Sequence, residues 1–197
     1  MSRLDLLVGP NGAGKTTIYE RIIAPVRPGL PFVDADRIAA DRFAGEEVEH
    51  GYEAARIATA ARDALLAARL DFCTETVFSH RSKLELVTTA VDAGYDVVLH
   101  VVLIPLELSA PRVAARVAAG GHDVPVAKLA SRYERLWPNV AAAVPRCRRA
   151  VVYDNSTDDG PHEVAAFRHG VADYAPRWPA WAPGPIRGLG AVGLRGL

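Results

Sequence analysis

The segment at residues 9–17, which reads G-P-N-G-A-G-K-T-T, constrains the fold more than any other part of the chain. It matches the phosphate-binding pattern Gly-x-x-x-x-Gly-Lys-Thr, in which the glycines let backbone N–H groups converge on phosphate oxygens. The apolar run at residues 4–8 predicts a strand before the loop, and residues 15–24 predict a helix whose N-terminus faces the phosphates. This strand–loop–helix order predicts nucleotide binding.

The loop pattern also predicts roles for individual side chains. Lys15 can reach the β- and γ-phosphates of a bound nucleotide, and the Thr16 hydroxyl can hold Mg²⁺. ATP or GTP, together with Mg²⁺, is therefore the expected cofactor set. Nucleotide contacts are expected at Gly9, Pro10, Asn11, Gly12, Ala13, Gly14, Lys15, Thr16 and Thr17.

Composition limits the class of protein. The 197 residues are enough for one α/β domain, and 23 basic against 23 acidic side chains give no net charge, which argues against a nucleic-acid binder. Two cysteines, Cys73 and Cys147, are typical of free thiols in a reducing compartment. We find no signal peptide and no apolar run of about 18 residues, so a cytoplasmic protein without a membrane span is expected.

Strand-like and helix-like segments alternate along the chain. The pattern predicts an α/β fold of the three-layer P-loop NTPase/kinase type, with a parallel sheet of about five strands, helices on both faces and a helical lid. Predicted strands lie at 4–8, 31–34, 71–77, 95–104 and 149–153. Predicted helices lie at 15–24, 36–43, 46–70, 80–93, 109–119, 125–143 and 162–174.

Two of these helices carry further expectations, and the last one sets the domain limits. The helix at 46–70 is expected to place Val48, Tyr52, Ala55, Leu65 and Leu66 on its inner face, and Ser109 is expected to cap the helix at 109–119. We expect a kinase domain at 1–174 with a lid at about 112–133. The Pro/Gly-rich tail at 175–197 is expected to be loose or irregularly docked.

Acidic residues come after the second and third predicted strands, at the sheet edge where open parallel sheets bind ligands. Asp36 is the candidate base that accepts a proton from the acceptor hydroxyl, although an acid at this position could instead cap a helix. Asp34 is expected to be a cap or a loop-stabilising acid. Glu75 could bind substrate hydroxyls or a Mg²⁺-bound water, or it could form an ion pair with an arginine.

The fourth predicted strand lacks the acid that many ATPases use to bind Mg²⁺. Residues 99–105 read L-H-V-V-L-I-P, and Glu107 comes too late to serve. This disfavours those ATPases and suits small-molecule kinases, in which the second and third strands supply the carboxylates. His100 lies inside this strand and is expected to be a core residue with a hydrogen-bond partner.

Basic residues on two successive predicted helices suggest a lid over the transferred phosphate. Arg112 and Arg116 lie four residues apart on one helix, His122 comes after a Gly-Gly break, and Arg132 lies on the next helix. Arginines in such a position offset the charge that develops during phosphoryl transfer, whereas the alternative is a solvated basic face.

Asn155 comes after the fifth predicted strand, within the sequence Y-D-N-S at 153–156. This loop often borders the nucleotide base in such folds, so Asn155 could read adenine. Asn is also a common turn residue, because its side chain can hydrogen-bond to the nearby backbone, so Asn155 could have a purely structural role. Both interpretations stay open on the sequence.

Taken together, these segments resemble the zeta-toxin family of P-loop kinases, in its short, bacterial, single-domain branch. The resemblance covers about residues 1–172. The matching segments are the loop at 9–17, F-V-D-A-D-R-I-A at 32–39, T-E-T-V-F-S at 74–79, R-V-A-A-G-G-H-D-V-P at 116–125, R-Y at 132–133 and Y-D-N-S at 153–156. The family implies transfer of phosphate from ATP or GTP to a hydroxyl of UDP-N-acetylglucosamine, and an antitoxin partner that occludes the nucleotide site.

The resemblance also implies roles for single residues. It makes Asp36 the base, Glu75 a substrate contact and Arg116 the first lid arginine. The slot of the second lid arginine holds His122, so Arg132 is the alternative second cation. The chain is shorter than the well-studied toxins, and Asp34 is often Asn in this branch. An antibiotic, nucleoside or metabolite kinase, and a nucleotide-dependent switch without an acceptor, remain alternatives.

Overall fold

The computed structural model describes residues 1–118 and 126–190. The elements in chain order are β1 (Arg3–Val8), α1 (Lys15–Ile18, continued by a π-helical turn at Tyr19–Ile23), β2 (Phe32–Val33), α2 (Ala35–Arg42), α3 (Gly51–Ala67), β3 (Phe72–Thr76), α4 (Arg81–Asp92), β4 (Asp96–Leu103), α5 (Leu106–Ala118), α6 (Val126–Ala143, continued by a 3-10 turn at Val144–Arg146), β5 (Arg149–Asp154), β6 (His162–Arg168), β7 (Val171–Ala172) and α7 (Gly184–Arg187).

The strands form one sheet in the order β2-β3-β1-β4-β5-β6-β7. The first five strands of that order are mutually parallel, as the sequence predicts, while β6 and β7 add antiparallel pairs. Because β1 lies between β3 and β4, the loop after β1 emerges at the carboxyl edge beside the end of β3. The end of β2 lies one strand further away.

The core occupies both faces of the sheet because side chains of β1 alternate in direction. Leu4 and Leu6 pack into a large cluster with α3, α4, α6 and the C-terminal segment. Leu7 packs on the other side with Ile18 of α1 and with Val102 of β4. The sheet is therefore covered on both faces, which confirms the three-layer P-loop fold.

The predicted helix at 162–174 is wrong, because this segment forms the β6–β7 hairpin. Arg168 pairs with Val171, so the turn between the strands consists of His169 and Gly170, whose φ angles are 48° and 80°. Two central residues with positive φ suit the right-handed twist of a hairpin. The prediction failed because Ala165 and Ala166 are both buried, which removes the alternation typical of a strand.

The helix α3 is shorter than predicted, and only part of its predicted inner face contacts the core. It begins at Gly51 rather than at residue 46, and Val48 and Tyr52 are 69% and 87% exposed. Ala54 and Ala58 are buried in their place. Leu66 is buried and Leu65 packs against the core, as predicted, whereas Ala55 is exposed. The prediction of the inner face is therefore confirmed at the end of the helix and wrong at its beginning.

The C-terminal segment packs on the domain throughout residues 175–190. Ala182 and Ile186 are buried, and the Trp178 ring stacks on Phe167 with centroids 6.4 Å apart. Irregular docking therefore describes this part of the tail, and residues 191–197 lie outside the described residues. Among the described residues, no helix combines the length and the apolar character that crossing a bilayer requires.

Candidate active site

The loop at residues 9–17 depends on two glycines that no other residue could replace without strain. A Cβ atom on Gly9 would lie 2.6 Å from the Val102 carbonyl oxygen of β4. Gly14 has φ of 81°, and its Cβ would lie 2.5 Å from the Asn155 Nδ2 atom. The loop is thus pressed against β4 and the segment after β5, which holds its backbone in place beyond the sheet edge.

Lys15 is buried, and its ammonium group faces the loop and β3. The Nζ atom donates to the carbonyl oxygens of Gly9 and Pro10, both at 3.1 Å, and lies 3.3 Å from Glu75 Oε1. The Thr16 hydroxyl donates to Glu75 Oε2 at 3.5 Å. Glu75 therefore sits beside the lysine and the hydroxyl that the loop pattern assigns to phosphate and Mg²⁺, and its partner is this lysine rather than an arginine.

Asp34 and Asp36 have different positions at the start of α2. Asp34 is the N-cap, and its Oδ1 accepts a hydrogen bond of 2.9 Å from the Asp36 backbone N–H. The Asp36 side chain is 52% exposed and does not have the capping role that was its alternative interpretation. The cap assigned to Asp34 from the sequence is confirmed.

The surroundings of Asp34 change the pKa of its carboxyl group. Its burial, and then the negative charges of Glu75 and Asp36, raise its pKa from 3.8 to about 6, while the backbone N–H bond and Lys15 act in the opposite direction. The distances agree with this electrostatic environment, because Asp34 is hydrogen-bonded to the Asp36 backbone at 2.9 Å and Lys15 lies 3.3 Å from Glu75.

Arg116 connects the predicted lid to this group. It lies in the last turn of α5, and its Nη1 atom is 3.5 Å from Asp36 Oδ2. The two side chains are partly exposed, at 39% and 52%, so the pair is accessible from solvent. The structure thus brings the candidate base and the first lid arginine together.

The second lid cation is less well placed. His122, with the Gly-Gly break before it, lies outside the described residues. Arg132 is half-buried on α6, and within the described residues no hydrogen bond or ion pair connects it to Asp36, Glu75 or Lys15. Its role stays a prediction.

Three side chains outside the loop hold it in place through hydrogen bonds. Ser109 donates to the Asn11 carbonyl oxygen at 2.7 Å, Asn155 Nδ2 donates to the Ala13 carbonyl oxygen at 2.8 Å, and Arg112 donates to the Asn155 carbonyl oxygen at 2.8 Å. Ser109 was expected to cap a helix, but α5 begins three residues earlier, at Leu106, and the buried Ser109 hydroxyl serves the loop. Arg112 likewise holds Asn155, which binds the loop, and this contact differs from the lid role that the sequence suggests.

His100 belongs to the core, as its position in β4 predicts. Its Nε2 atom lies 3.0 Å from Asp5 Oδ1, and Asp5 also binds Arg3 and Arg27. Both cysteines are buried free thiols, and burial raises the pKa of Cys147 to about 12. Such a thiol is protonated and unreactive near neutral pH.

Residues 4–138 match the family described as AAA domain. The chain belongs to this family. The match spans the loop, both acidic strand ends and α5. No curated protein matches the chain significantly.

Solved structures share the fold of this chain at low sequence identity. A chain of the AvrRxo1-ORF1:AvrRxo1-ORF2 complex with sulphate ions is 17% identical, with a TM-score of 0.71 over 88% of this chain and 60% of that one. The same complex with ATP gives 18% identity, a TM-score of 0.70 and the same coverage. A chain of the PezAT chromosomal toxin–antitoxin system of Streptococcus pneumoniae is 16% identical, with a TM-score of 0.62 over 84% and 72%.

These similarities define the fold and no more. The chain spans 60% of the length of the AvrRxo1 chain that it matches. They support a P-loop kinase-like fold for this chain, whereas substrates and partners differ among proteins that share a fold.

Replacing Asn155 with alanine should weaken ATP and GTP binding to the AAA domain equally, by a few-fold. The change leaves the Ala13 carbonyl without its donor and removes a brace of the loop, at a cost of about 1 kcal/mol in stability. Isothermal titration with both nucleotides measures the affinities, and Ser156→Ala is the neighbouring control. A loss confined to ATP would instead support the interpretation that Asn155 reads adenine.

Replacing Asp34 with asparagine should stabilise the protein at neutral pH. Because the folded state holds a proton that the unfolded chain has released, the wild type loses about 1–3 kcal/mol of unfolding free energy as the pH rises from about 4 through about 6. Asparagine keeps the cap and carries no charge. Urea denaturation at acid and neutral pH measures this, with Asp41→Asn on α2 as the control. Equal pH dependence in wild type and Asp34→Asn would contradict the argument.

Proposed function

We propose that the protein is a P-loop kinase of zeta-toxin type, which transfers the γ-phosphate of ATP or GTP to a hydroxyl of a small molecule. The observation that carries the proposal is the placement of acids beside the nucleotide loop: Glu75 lies 3.3 Å from Lys15 and 3.5 Å from the Thr16 hydroxyl, and Asp36 pairs with Arg116 at 3.5 Å. A switch protein needs the loop alone, whereas a kinase also needs a carboxylate for the acceptor.

The loop residues would bind the nucleotide. Lys15 would exchange its bonds to the loop's own carbonyl oxygens for bonds to phosphate oxygens, and the backbone N–H groups of residues 9–17 would surround them. Thr16 and Glu75, whose side-chain oxygens lie 3.5 Å apart, present oxygen ligands of the kind that Mg²⁺ prefers and would hold the ion. When bound, Mg²⁺ neutralises phosphate charge.

Asp36 would activate the acceptor. The acceptor oxygen attacks the γ-phosphorus as the bond to the bridging oxygen breaks, the nucleoside diphosphate leaves, and the hydroxyl proton passes to the Asp36 carboxylate. Arg116, now paired with Asp36, would turn to the transferred phosphoryl group and offset its charge. Arg132 or His122 would supply a second cation, with Glu75 and His122 near the acceptor.

UDP-N-acetylglucosamine is the first acceptor to test, and an antitoxin the first partner. The support is the set of segments shared with zeta toxins and the resemblance of the fold to a chain of the PezAT toxin–antitoxin system. Such a toxin would work in the cytoplasm, where its nucleotide substrates are found.

The decisive experiment is an acceptor screen. The purified protein, ATP or GTP, and Mg²⁺ are incubated with a panel of sugar nucleotides and with a metabolite extract, and mass spectrometry detects gain of one phosphate. Lys15→Ala is the inactive control. Tight nucleotide binding without any phosphorylated product across the panel and the extract would favour a switch instead.

A second experiment separates a toxin from a metabolic kinase. Expression of the wild type should arrest growth, whereas Lys15→Ala should not, and co-expression of the protein encoded by the adjacent gene should relieve the arrest if it is the antitoxin. Harmless expression of an active kinase would place the acceptor in ordinary metabolism.

A further inference from the structure

A groove between α3 and α4 carries an unusual arrangement of charge. Its volume is about 220 Å³, and its lining includes Thr59, Arg62 and Leu66 of α3 and Ser82, Lys83 and Leu86 of α4. Lys83 lies in the first turn of α4, and residues 77–80 alone separate that helix from β3, the strand that carries Glu75. The Lys83 end of the groove therefore lies towards the carboxyl edge of the sheet, and Arg62 lies further along α3.

Arg62 is the most informative residue of this groove. It is 6% exposed, and its Nη2 atom donates to the Thr59 hydroxyl at 2.8 Å. Within residues 1–118 and 126–190, no carboxylate lies within ion-pair distance of Arg62, which has only this neutral hydroxyl as a hydrogen-bond partner. Its other nitrogen atoms are not among the buried atoms that lack a hydrogen-bond partner, so they keep contact with the groove that Arg62 lines. A largely buried guanidinium without a carboxylate at ion-pair distance is a favourable partner for an anion in that groove.

Lys83 adds a second positive charge at the same place. Burial and then the charge of Arg62 lower the pKa of the Lys83 ammonium, and burial also lowers the pKa of Arg62. Asp63 and Glu85 line the groove as well, but both are exposed, and the charge of Asp63 only partly offsets the effect of burial on the pKa of Arg62. Positive charge thus exceeds negative charge in the buried part of the groove.

We propose that this groove binds an anionic group, a phosphate or carboxylate, of the acceptor molecule. The planar guanidinium of Arg62 presents parallel N–H donors that suit two oxygens of such a group, and Lys83 supplies a point charge beside it. The inference rests on the proposed kinase function, because it makes the groove a second contact for the same acceptor. It restricts the acceptor to anionic compounds and excludes neutral sugars and nucleosides.

The binding test uses inorganic phosphate as the probe and does not depend on catalysis. The full chain is first saturated with Mg²⁺ and a non-hydrolysable ATP analogue, so that phosphate does not compete for the loop. Thermal unfolding is then measured against phosphate concentration, with chloride at matched ionic strength. We expect a saturable rise in melting temperature for the wild type, and an apparent affinity about 10-fold weaker for Arg62→Met and for Lys83→Gln.

Arg56→Gln is the matched control, because Arg56 is an exposed arginine on the same helix. It should keep the wild-type response to phosphate. Arg62→Met should be as stable as the wild type or more stable without phosphate, since it removes a buried unpaired charge. Equal responses of all variants, or no saturable response in the wild type, would overturn the proposal, as would Arg62→Met failing to fold while Lys83→Gln responds normally.

A kinetic experiment tests whether the groove binds the acceptor. Once the acceptor screen has found a substrate, Arg62→Met should raise its KM about 10-fold or more with kcat little changed, and phosphate should compete with it. Phosphate binding without competition would overturn the assignment to the acceptor. Phosphate binding to a protein that phosphorylates nothing would refute the kinase proposal and leave the anion site standing, so the two failures are distinguishable.

Discussion

Replacing Asp36 with alanine should lower the rate of phosphoryl transfer by about 10²- to 10⁴-fold, the usual contribution of a general base. Folding and nucleotide binding should change little. The side chain is half exposed, and the cap of α2 is Asp34, so the local structure does not depend on Asp36. Rates are measured with saturating ATP and the acceptor found by mass spectrometry, and affinity for a non-hydrolysable analogue is measured in parallel.

Two further variants sharpen this expectation. Asp36→Asn keeps the shape of the side chain but cannot take the proton, so its rate should fall as far as that of Asp36→Ala. Asp41→Ala removes an exposed acid from the same helix and should keep the full rate. Full acceptor-dependent turnover by Asp36→Ala would rule out Asp36 as the base. Loss of nucleotide binding by the same variant would instead mean that Asp36 contributes to binding the nucleotide.

The parallel part of the fold was predictable because its signals are local. β1 and β4 are apolar runs long enough to be strands buried on both faces, and the loop pattern fixes the turn and the helix that come after β1. The β6–β7 hairpin was missed because its buried alanines show no alternation. The useful signal was the dipeptide His169-Gly170, which permits positive φ at both central positions of a tight turn.

The candidate site also combines residues whose place follows from the local sequence with contacts that depend on packing. Glu75 lies near the end of β3 and Asp36 lies in the first turn of α2, just after β2, so their place at the sheet edge could be predicted. The lid role of Arg116 stays a prediction, which its position beside Asp36 supports. The Ser109–Asn11 bond could not be predicted, because it joins residues 98 apart and depends on how α5 packs against the loop. The burial of Arg62 likewise depends on how α3 and α4 are placed around the groove between them, which no local pattern reveals.

Lys15→Ala should have the broadest effect of any single replacement in the chain. Removing this ammonium group takes away a charged donor to the phosphates, so we expect nucleotide affinity to fall about 10-fold or more and the transfer rate by about 10²- to 10³-fold. Titration calorimetry measures the affinity, and product formation measures the rate. Lys128→Ala, which removes an exposed lysine on α6, is the control for a simple change of net charge.

The same replacement should also destabilise the fold without a ligand, and in a pH-dependent way. Lys15 faces Glu75 and lowers the pKa of Asp34, so its loss leaves a cluster of carboxylates without their nearest positive charge. The loss of unfolding free energy should be largest above about pH 6, where Asp34 ionises in the folded protein, and smallest near pH 4.

Adding Asp34→Asn to Lys15→Ala separates these two roles of the lysine. The second replacement removes one of the repelling charges and should restore much of the stability, measured by urea denaturation at neutral pH. It should restore none of the transfer rate, because the phosphates still lack their ammonium partner. Recovery of both stability and rate would mean that Lys15 acts only by holding the carboxylates together, and a kinase site of the proposed kind would then need another phosphate-binding cation.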